Sequence, residues 1–167
     1  MSDLLQQRPV GPEQPLQRAD LDADPVVQLQ AWLTAAAAAG THEPNAMTRA
    51  TADAEGVPSA RVVLLRGLDE RGLTWYTNRS SLKGRNLAAN PRAALVFHWE
   101  RLQRQVRVSG AVSVIPDVES ASYFAARPRR SQLSAWASPQ GRPIADRAEL
   151  EAATQRIAER HPGEVPL

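Results

Sequence analysis

Between Arg61 and Lys83 the chain gathers the side chains that an anionic ligand needs. Arg61 and Arg66 bracket the run Val62-Val63-Leu64-Leu65, Asn78, Ser80 and Ser81 offer amide and hydroxyl groups, and Lys83 follows where a helix should start. Guanidinium and ammonium groups make charge-assisted hydrogen bonds, and the free N–H groups of a helix N-terminus add to them, so this set suits a phosphate. A hairpin whose arginines are simply solvated explains the same pattern equally well.

The elements that must position these groups follow from the local sequence. Arg61 to Arg66 reads as a buried strand with cationic ends. Asp69-Glu70-Arg71-Gly72 supplies a tight turn, and a second strand from Leu73 to Thr77 brings Tyr76 and Thr77 back toward the first. A helix from Ser81 to Ala89 then places Lys83 in its first turn.

Upstream, Met1 to Ala23 has little apolar periodicity and is expected to be a mobile arm, with order starting at Asp24. Asp24 followed by Pro25 marks a helix start. Val26, Leu29, Trp32, Leu33 and Ala36 share one face until Gly40 ends it, and Trp32 reads as a core anchor. Ala46 to Thr51 is a short strand closed by the turn Asp53 to Gly56.

Downstream, Ala93 to Trp99 is a strand. Arg104 to Ile115 alternates, with Val106, Val108, Val112 and Val114 on one side and Gln105, Arg107, Ser109 and Ser113 on the other. Gly110 suggests a bulge or close packing. A helix capped by Asp117 runs to Ala126, with Tyr123 and Arg127 four apart on one face, a spacing that also fits an ordinary surface pair. Arg129 to Ala137 forms a short helix holding Trp136, Ser138 to Pro143 a loop, and Asp146 to Arg160 a charged helix with Leu150, Ala153 and Ile157 inward. Five strands at hairpin spacing with helices between them predict a mainly antiparallel β fold, a barrel decorated by peripheral helices.

Composition narrows the function. The 167 residues, 43% hydrophobic, suit one domain with one core. A net charge of +2 gives little support to nucleic-acid binding. The chain has no cysteine, so thiol catalysis, thiolate metal sites and disulfides are excluded, and His42, His98 and His161 do not make a metal-ligand spacing. No secretion signal or membrane span is read in the sequence, which predicts a soluble cytoplasmic protein with no membrane partner.

The motifs RVVLLRGLDERGLTWYTN, SSLKG, NPRAALVFHW, LQRQVRVSG, YFAARPRRSQLSAWAS and GEVPL occur in this order. Together they resemble the pyridoxine/pyridoxamine 5'-phosphate oxidases, over a domain from Asp24 to Leu167. The resemblance implies an FMN-binding split β-barrel that forms a homodimer with FMN at the interface. It places Arg61, Val62, Val63, Leu64, Leu65 and Arg66 along the flavin, with Arg61 and Lys83 at its phosphate and Tyr76, Thr77 and Gln105 in contact with it. Gln140 and Gly141 match a loop that reaches the flavin of the partner subunit. Tyr123, Arg127 and Ser131, with Arg66, fall where the family holds the phosphate of a small pyridine substrate. The implied reaction passes hydride from C4' of pyridoxine or pyridoxamine phosphate to the flavin, and dioxygen then returns hydrogen peroxide. The flavin carries the chemistry, so no catalytic side chain is required.

The sequence departs from the family pattern in places. Leu82 stands where an arginine is usual, which removes a charged contact to the FMN phosphate worth about 1.5–3 kcal/mol. Arg66 replaces a lysine, and Gly141-Arg142 replaces a hydroxyl-bearing pair. The family continues past GEVPL into strands that hold flavin and substrate, so the chain is expected to be a fragment or a shortened homologue. Two other readings stay open: an FMN-binding relative with another substrate, such as a phenazine-pathway oxidase, and a non-catalytic FMN-binding dimer.

Overall fold

The computed structural model describes residues 15–167. The first fourteen residues of the expected N-terminal arm lie outside the described residues; Arg18–Asp20 within the rest of it form an exposed 3-10 turn. Six strands follow: β1 (Ala46–Ala52), β2 (Pro58–Leu64), β3 (Gly67–Asp69), β4 (Gly72–Thr74), β5 (Arg92–Trp99) and β6 (Arg104–Ala111). The helices are α1 (Pro25–Ala38), α2 (Leu82–Ala89), α3 (Asp117–Ala125), α4 (Arg129–Ala137) and α5 (Arg147–Arg160). The strands form antiparallel sheets, one in the order β2-β1-β5-β6 and one a β3-β4 hairpin, which bears out the expected fold class.

The chain divides into two compact units. Among the described residues the first draws on 15–49, Val62–Trp75 and Leu95–Val108, and the second on Ala50–Arg61, Tyr76–Ala94 and Ser109–Leu167.

In the first unit α1 starts as expected, with the Asp24 carboxylate accepting from the Val26 N–H at 2.8 Å and Pro25 at the first helical position. Its Leu29 and Ala36 pack with Met47, Leu65, Leu95, Phe97 and Trp99 to form a core, with Trp32, Val106 and Val108 against it. Alternation along β5 buries Leu95, Phe97 and Trp99 on one face. The Trp99 indole N–H donates to the Pro44 carbonyl at 2.8 Å, so the largest core side chain leaves no polar atom unpaired there. Arg49 is fully buried, its guanidinium 5.1 Å from the centre of the Trp75 ring.

The strand after Pro58 ends at Leu64 and lies at a sheet edge, so it is not buried throughout: alternate residues turn outward, and Val62 is 67% exposed. Its predicted hairpin partner is not Leu73 to Thr77. The hairpin is instead β3 with β4, where Asp69 faces Gly72 and the turn is Glu70-Arg71. Gly72, at φ 114, supplies the backbone this turn requires. The last strand stops at Ala111, leaving Val114 exposed, and Gly110 lies in open space instead of a close contact.

The second unit holds α2 to α5 and its own core of Phe124, Leu133 and Val165, flanked by Ala135, Ile157 and Ala158. Asp117 does not cap α3, because it is already the first helical residue after Pro116; its carboxylate pairs with Arg79 at 3.2 Å. The Gln132 amide closes the other end, donating to the carbonyls of Phe124, Ala125 and Arg127 at 3.1, 3.0 and 2.9 Å. The Phe124 carbonyl also accepts from the Arg127 N–H at 3.1 Å, and at this helix end a buried side chain takes the place of water. Asp146 caps α5 by accepting from the Glu149 N–H at 2.8 Å, and Leu150, Ala153 and Ile157 face inward as expected.

Candidate functional site

The second unit brings Lys83, Gln140 and Gly141 together at the start of α2 and joins Arg61 to the same helix. This helix is fixed at its start by Ser81, whose hydroxyl donates to the Asn78 carbonyl at 2.6 Å and accepts from the Gly84 N–H at 3.2 Å. Gly84 is required by space: a Cβ there would sit 2.3 Å from the Arg79 carbonyl oxygen, so the loop lies directly against the first turn.

Lys83 and Asn86 are three residues apart and share a face of α2. The Lys83 ammonium donates to Gln140 Oε1 at 2.8 Å. Gly141, next in the loop after α4, has φ +80, and a Cβ on it would lie 3.1 Å from both the Cβ and the backbone nitrogen of Leu82. Leu82 and Gly141, two of the positions where the resemblance expects other residues, therefore meet each other. Within one chain Gln140 and Gly141 contact the lysine side of α2, whereas the resemblance assigns them to the partner subunit's flavin.

Arg61 is held at the other end of this face. Its guanidinium donates to Thr51 Oγ1 at 2.9 Å and to Ser59 Oγ, and the Asn86 amide lies 3.3 Å and 3.4 Å from the same two oxygens. Burial lowers the Arg61 pKa from its ordinary value. That value is so high that the group stays cationic at neutral pH. Tyr76 and Tyr123 stack face to face, with centroids 3.5 Å apart and ring planes within 2°. Thr77 follows Tyr76 directly, and its hydroxyl is buried with no hydrogen-bond partner among the described residues. A cavity of about 400 Å³ near the loop is lined by Asn78, Ser80, Trp136, Ser138, Gln140 and Arg142, among others.

Other predicted residues are placed differently. Arg127 lies beyond the end of α3, so it does not share a helical face with Tyr123; its guanidinium sits 5.9 Å from the Phe124 ring centre. Ser131 is half-buried in the first turn of α4, its N–H donating to the Pro128 carbonyl at 2.8 Å. Val62, Val63, Leu64, Leu65, Arg66 and Gln105 belong to the first unit. There Leu65 is a core residue and Arg66 is exposed, with its N–H donating to the Thr74 carbonyl at 2.8 Å. Gln105 lies exposed on the side of β6 opposite the valines, as its alternation predicts.

Sequence reasoning did not single out Thr51, Ser59, Asn86 or Gln132. Thr51 carried a signal, because it continues the buried register of β1 after Met47 and Arg49. A polar residue in that register has to find a partner.

The sequence pattern of the pyridoxamine 5'-phosphate oxidase family matches residues 33–161. The chain belongs to this family. It is 54% identical over 144 residues to the pyridoxine/pyridoxamine 5'-phosphate oxidase of Anaeromyxobacter dehalogenans, covering 86% of this chain and 73% of the relative. Identity to the protein of the same name from Azorhizobium caulinodans is 51% over 158 residues, or 93% of this chain and 74% of that one. The chain thus spans about three quarters of the length of these relatives, and like them it is an oxidoreductase by family. Among solved structures, PhzG from Burkholderia lata, in complex with tetrahydrophenazine-1-carboxylic acid, superposes with a TM-score of 0.82 at 28% identity over 89% of this chain and 73% of that chain. An FMN-binding protein related to pyridoxamine 5'-phosphate oxidase from Nostoc punctiforme shares the fold, with a TM-score of 0.62 at 18% identity over 78% of this chain and 73% of that chain.

Proposed function

We propose that this chain is an FMN-dependent oxidase that converts pyridoxine 5'-phosphate or pyridoxamine 5'-phosphate to pyridoxal 5'-phosphate, with dioxygen as acceptor and hydrogen peroxide as product. The observation that carries this reading is the pairing of two cations with one helix: Lys83 sits in the first turn of α2, and Arg61 is joined to Asn86 of that helix through two hydroxyls. A terminal phosphate fits this donor set, because guanidinium, ammonium and helix N–H groups all favour an anion. The buried Thr77 hydroxyl supports the same fit, since a polar group without a protein partner is costly unless a ligand takes it up.

When bound, FMN supplies the ring that accepts hydride and that dioxygen reoxidises. The protein's part is to bind and orient. Arg61 and Lys83 hold the cofactor phosphate, and Tyr76 and Thr77 lie alongside. Tyr123, Arg127 and Ser131 take the substrate phosphate. The same reading makes the protein a cytoplasmic homodimer with FMN at the interface, which light scattering and cell fractionation check.

Peroxide release from pyridoxamine phosphate by the FMN-loaded protein tests the reaction. Turnover at a rate above that of free FMN supports it, and a protein that takes up no FMN rejects it. The superposition on PhzG favours one second reading, an oxidase of a reduced tricyclic acid. Faster peroxide release from tetrahydrophenazine-1-carboxylic acid than from pyridoxamine phosphate would select it.

A further inference from the structure

We propose that Asn86 is a positioning residue of the phosphate subsite, acting through the hydroxyls of Thr51 and Ser59 to hold the Arg61 guanidinium in place. The inference rests on the FMN reading above and adds residues that the family resemblance does not assign.

The geometry joins four side chains of the second unit. Asn86 is 4% exposed and Thr51 3% exposed, so neither relies on solvent. Thr51 Oγ1 receives Arg61 Nη1 at 2.9 Å and Asn86 Nδ2 at 3.3 Å. Ser59 Oγ receives Arg61 Nη2, and Asn86 Nδ2 again at 3.4 Å. A hydroxyl oxygen has two acceptor lone pairs and one proton to donate. Both oxygens here have two donors aimed at them, so each is fixed as an acceptor between an amide and a guanidinium.

This arrangement does two things. It removes rotamer freedom from a long cationic side chain before any ligand arrives, which lowers the entropic cost of binding. It also makes the residue type at position 86 matter. An amide can donate to both hydroxyls without adding charge. A carboxylate would accept from them instead and would compete with a phosphate for Arg61. Leucine would leave the hydroxyls without their second donor.

The test compares FMN with riboflavin, which carries the same ring system without phosphate, by flavin fluorescence titration of the full 167-residue chain and its variants. The wild type is expected to bind FMN more tightly than riboflavin. Asn86→Leu and Asn86→Asp should lose about tenfold or more in FMN affinity, Asn86→Asp the more, with riboflavin affinity unchanged. Thermal melts of the apo forms identify any variant that fails to fold. In that case the pair Thr51→Val and Ser59→Ala, which removes the same acceptors from the strands, should show the same phosphate-selective loss. Equal losses for FMN and riboflavin, or unaltered FMN affinity in folded variants, would overturn the inference. A wild type that does not prefer FMN to riboflavin would overturn the FMN reading itself.

Discussion

The rings of Tyr76 and Tyr123 lie parallel at a centroid separation of 3.5 Å, joining the segment before α2 to the last turn of α3. A stacked aromatic pair contributes about 0.5–1.5 kcal/mol beyond the area it buries. Tyr123→Phe keeps the ring and removes the hydroxyl, so it should leave the melting temperature nearly unaltered while raising KM for the phosphorylated pyridine. Tyr123→Ala should lower both stability and substrate affinity. Steady-state kinetics beside thermal melts separate the two effects, and an unaltered KM in Tyr123→Phe would remove the hydroxyl from the substrate site.

Lys83 should matter to the cofactor more than to the fold. Replacing it by methionine removes a charge-assisted contact of about 1.5–3 kcal/mol, hence roughly tenfold to a hundredfold in FMN affinity. Gln140→Leu breaks the 2.8 Å bond to Lys83 but leaves the charge, so its effect on FMN should be smaller. Equilibrium dialysis gives the order directly, and a larger loss in Gln140→Leu would reverse the roles.

Gly84→Ala should destabilise the protein by about 1–3 kcal/mol, as overpacking does. The added methyl meets backbone, the Arg79 carbonyl, and no side-chain rotation relieves it. Urea unfolding followed by circular dichroism measures the cost. A neutral outcome would mean that the loop before α2 is free to move away.

Gln132→Leu retains most of the buried volume but removes the amide that serves three carbonyls at the end of α3. The Phe124 carbonyl keeps its bond from the Arg127 N–H, and buried acceptors left unpaired cost about 1–3 kcal/mol. For a chain of this size each kcal/mol lowers the melting temperature by roughly 2–4 °C. Because one of those carbonyls belongs to Arg127, KM for the phosphorylated substrate should rise as well.

Asp69 provides a pH-dependent contrast. Its carboxyl is held below the usual carboxylate range first by the hydrogen bond from the Arg71 side chain, helped by the N–H groups of Arg71 and Gly72. A lowered folded-state pKa means the stabilisation is present above the unfolded value, about 3.9, and is lost as pH falls through the folded one. Both side chains are well exposed, at 44% and 58%, so the effect is small and salt-sensitive. Asp69→Asn should therefore differ slightly from the wild type at neutral pH and low salt, and the difference should vanish in strong acid.

The helices were legible because their start signals are local. Asp24-Pro25, Ser81 and Asp146 act through bonds that span only two or three residues. Strand ends were less so, since Leu64 and Ala111 end their strands where pairing stops, and pairing depends on residues far along the chain. The site divided in the same way. Lys83 follows from its place after Ser81, whereas its partner Gln140 lies 57 residues further on. Asp117 misled because an acidic residue favours both the cap and the first turn that follows it. The Asn86 network had no short-range signature at all, because its members come from β1, β2 and α2.

The bonds from Asn86 to Thr51 and Ser59 cross from a helix to the strand pair that carries Arg61, so they belong at once to the fold and to the grip on an anion. Whatever binds at Arg61 is thereby coupled to the integrity of the β1–β2 turn, and occupancy becomes a form of thermal protection. A ligand present at a hundred times its dissociation constant adds about 2.7 kcal/mol to the folded state. The melting temperature of this protein should therefore climb with the logarithm of cofactor concentration, which makes heat resistance a gauge of how full the site is.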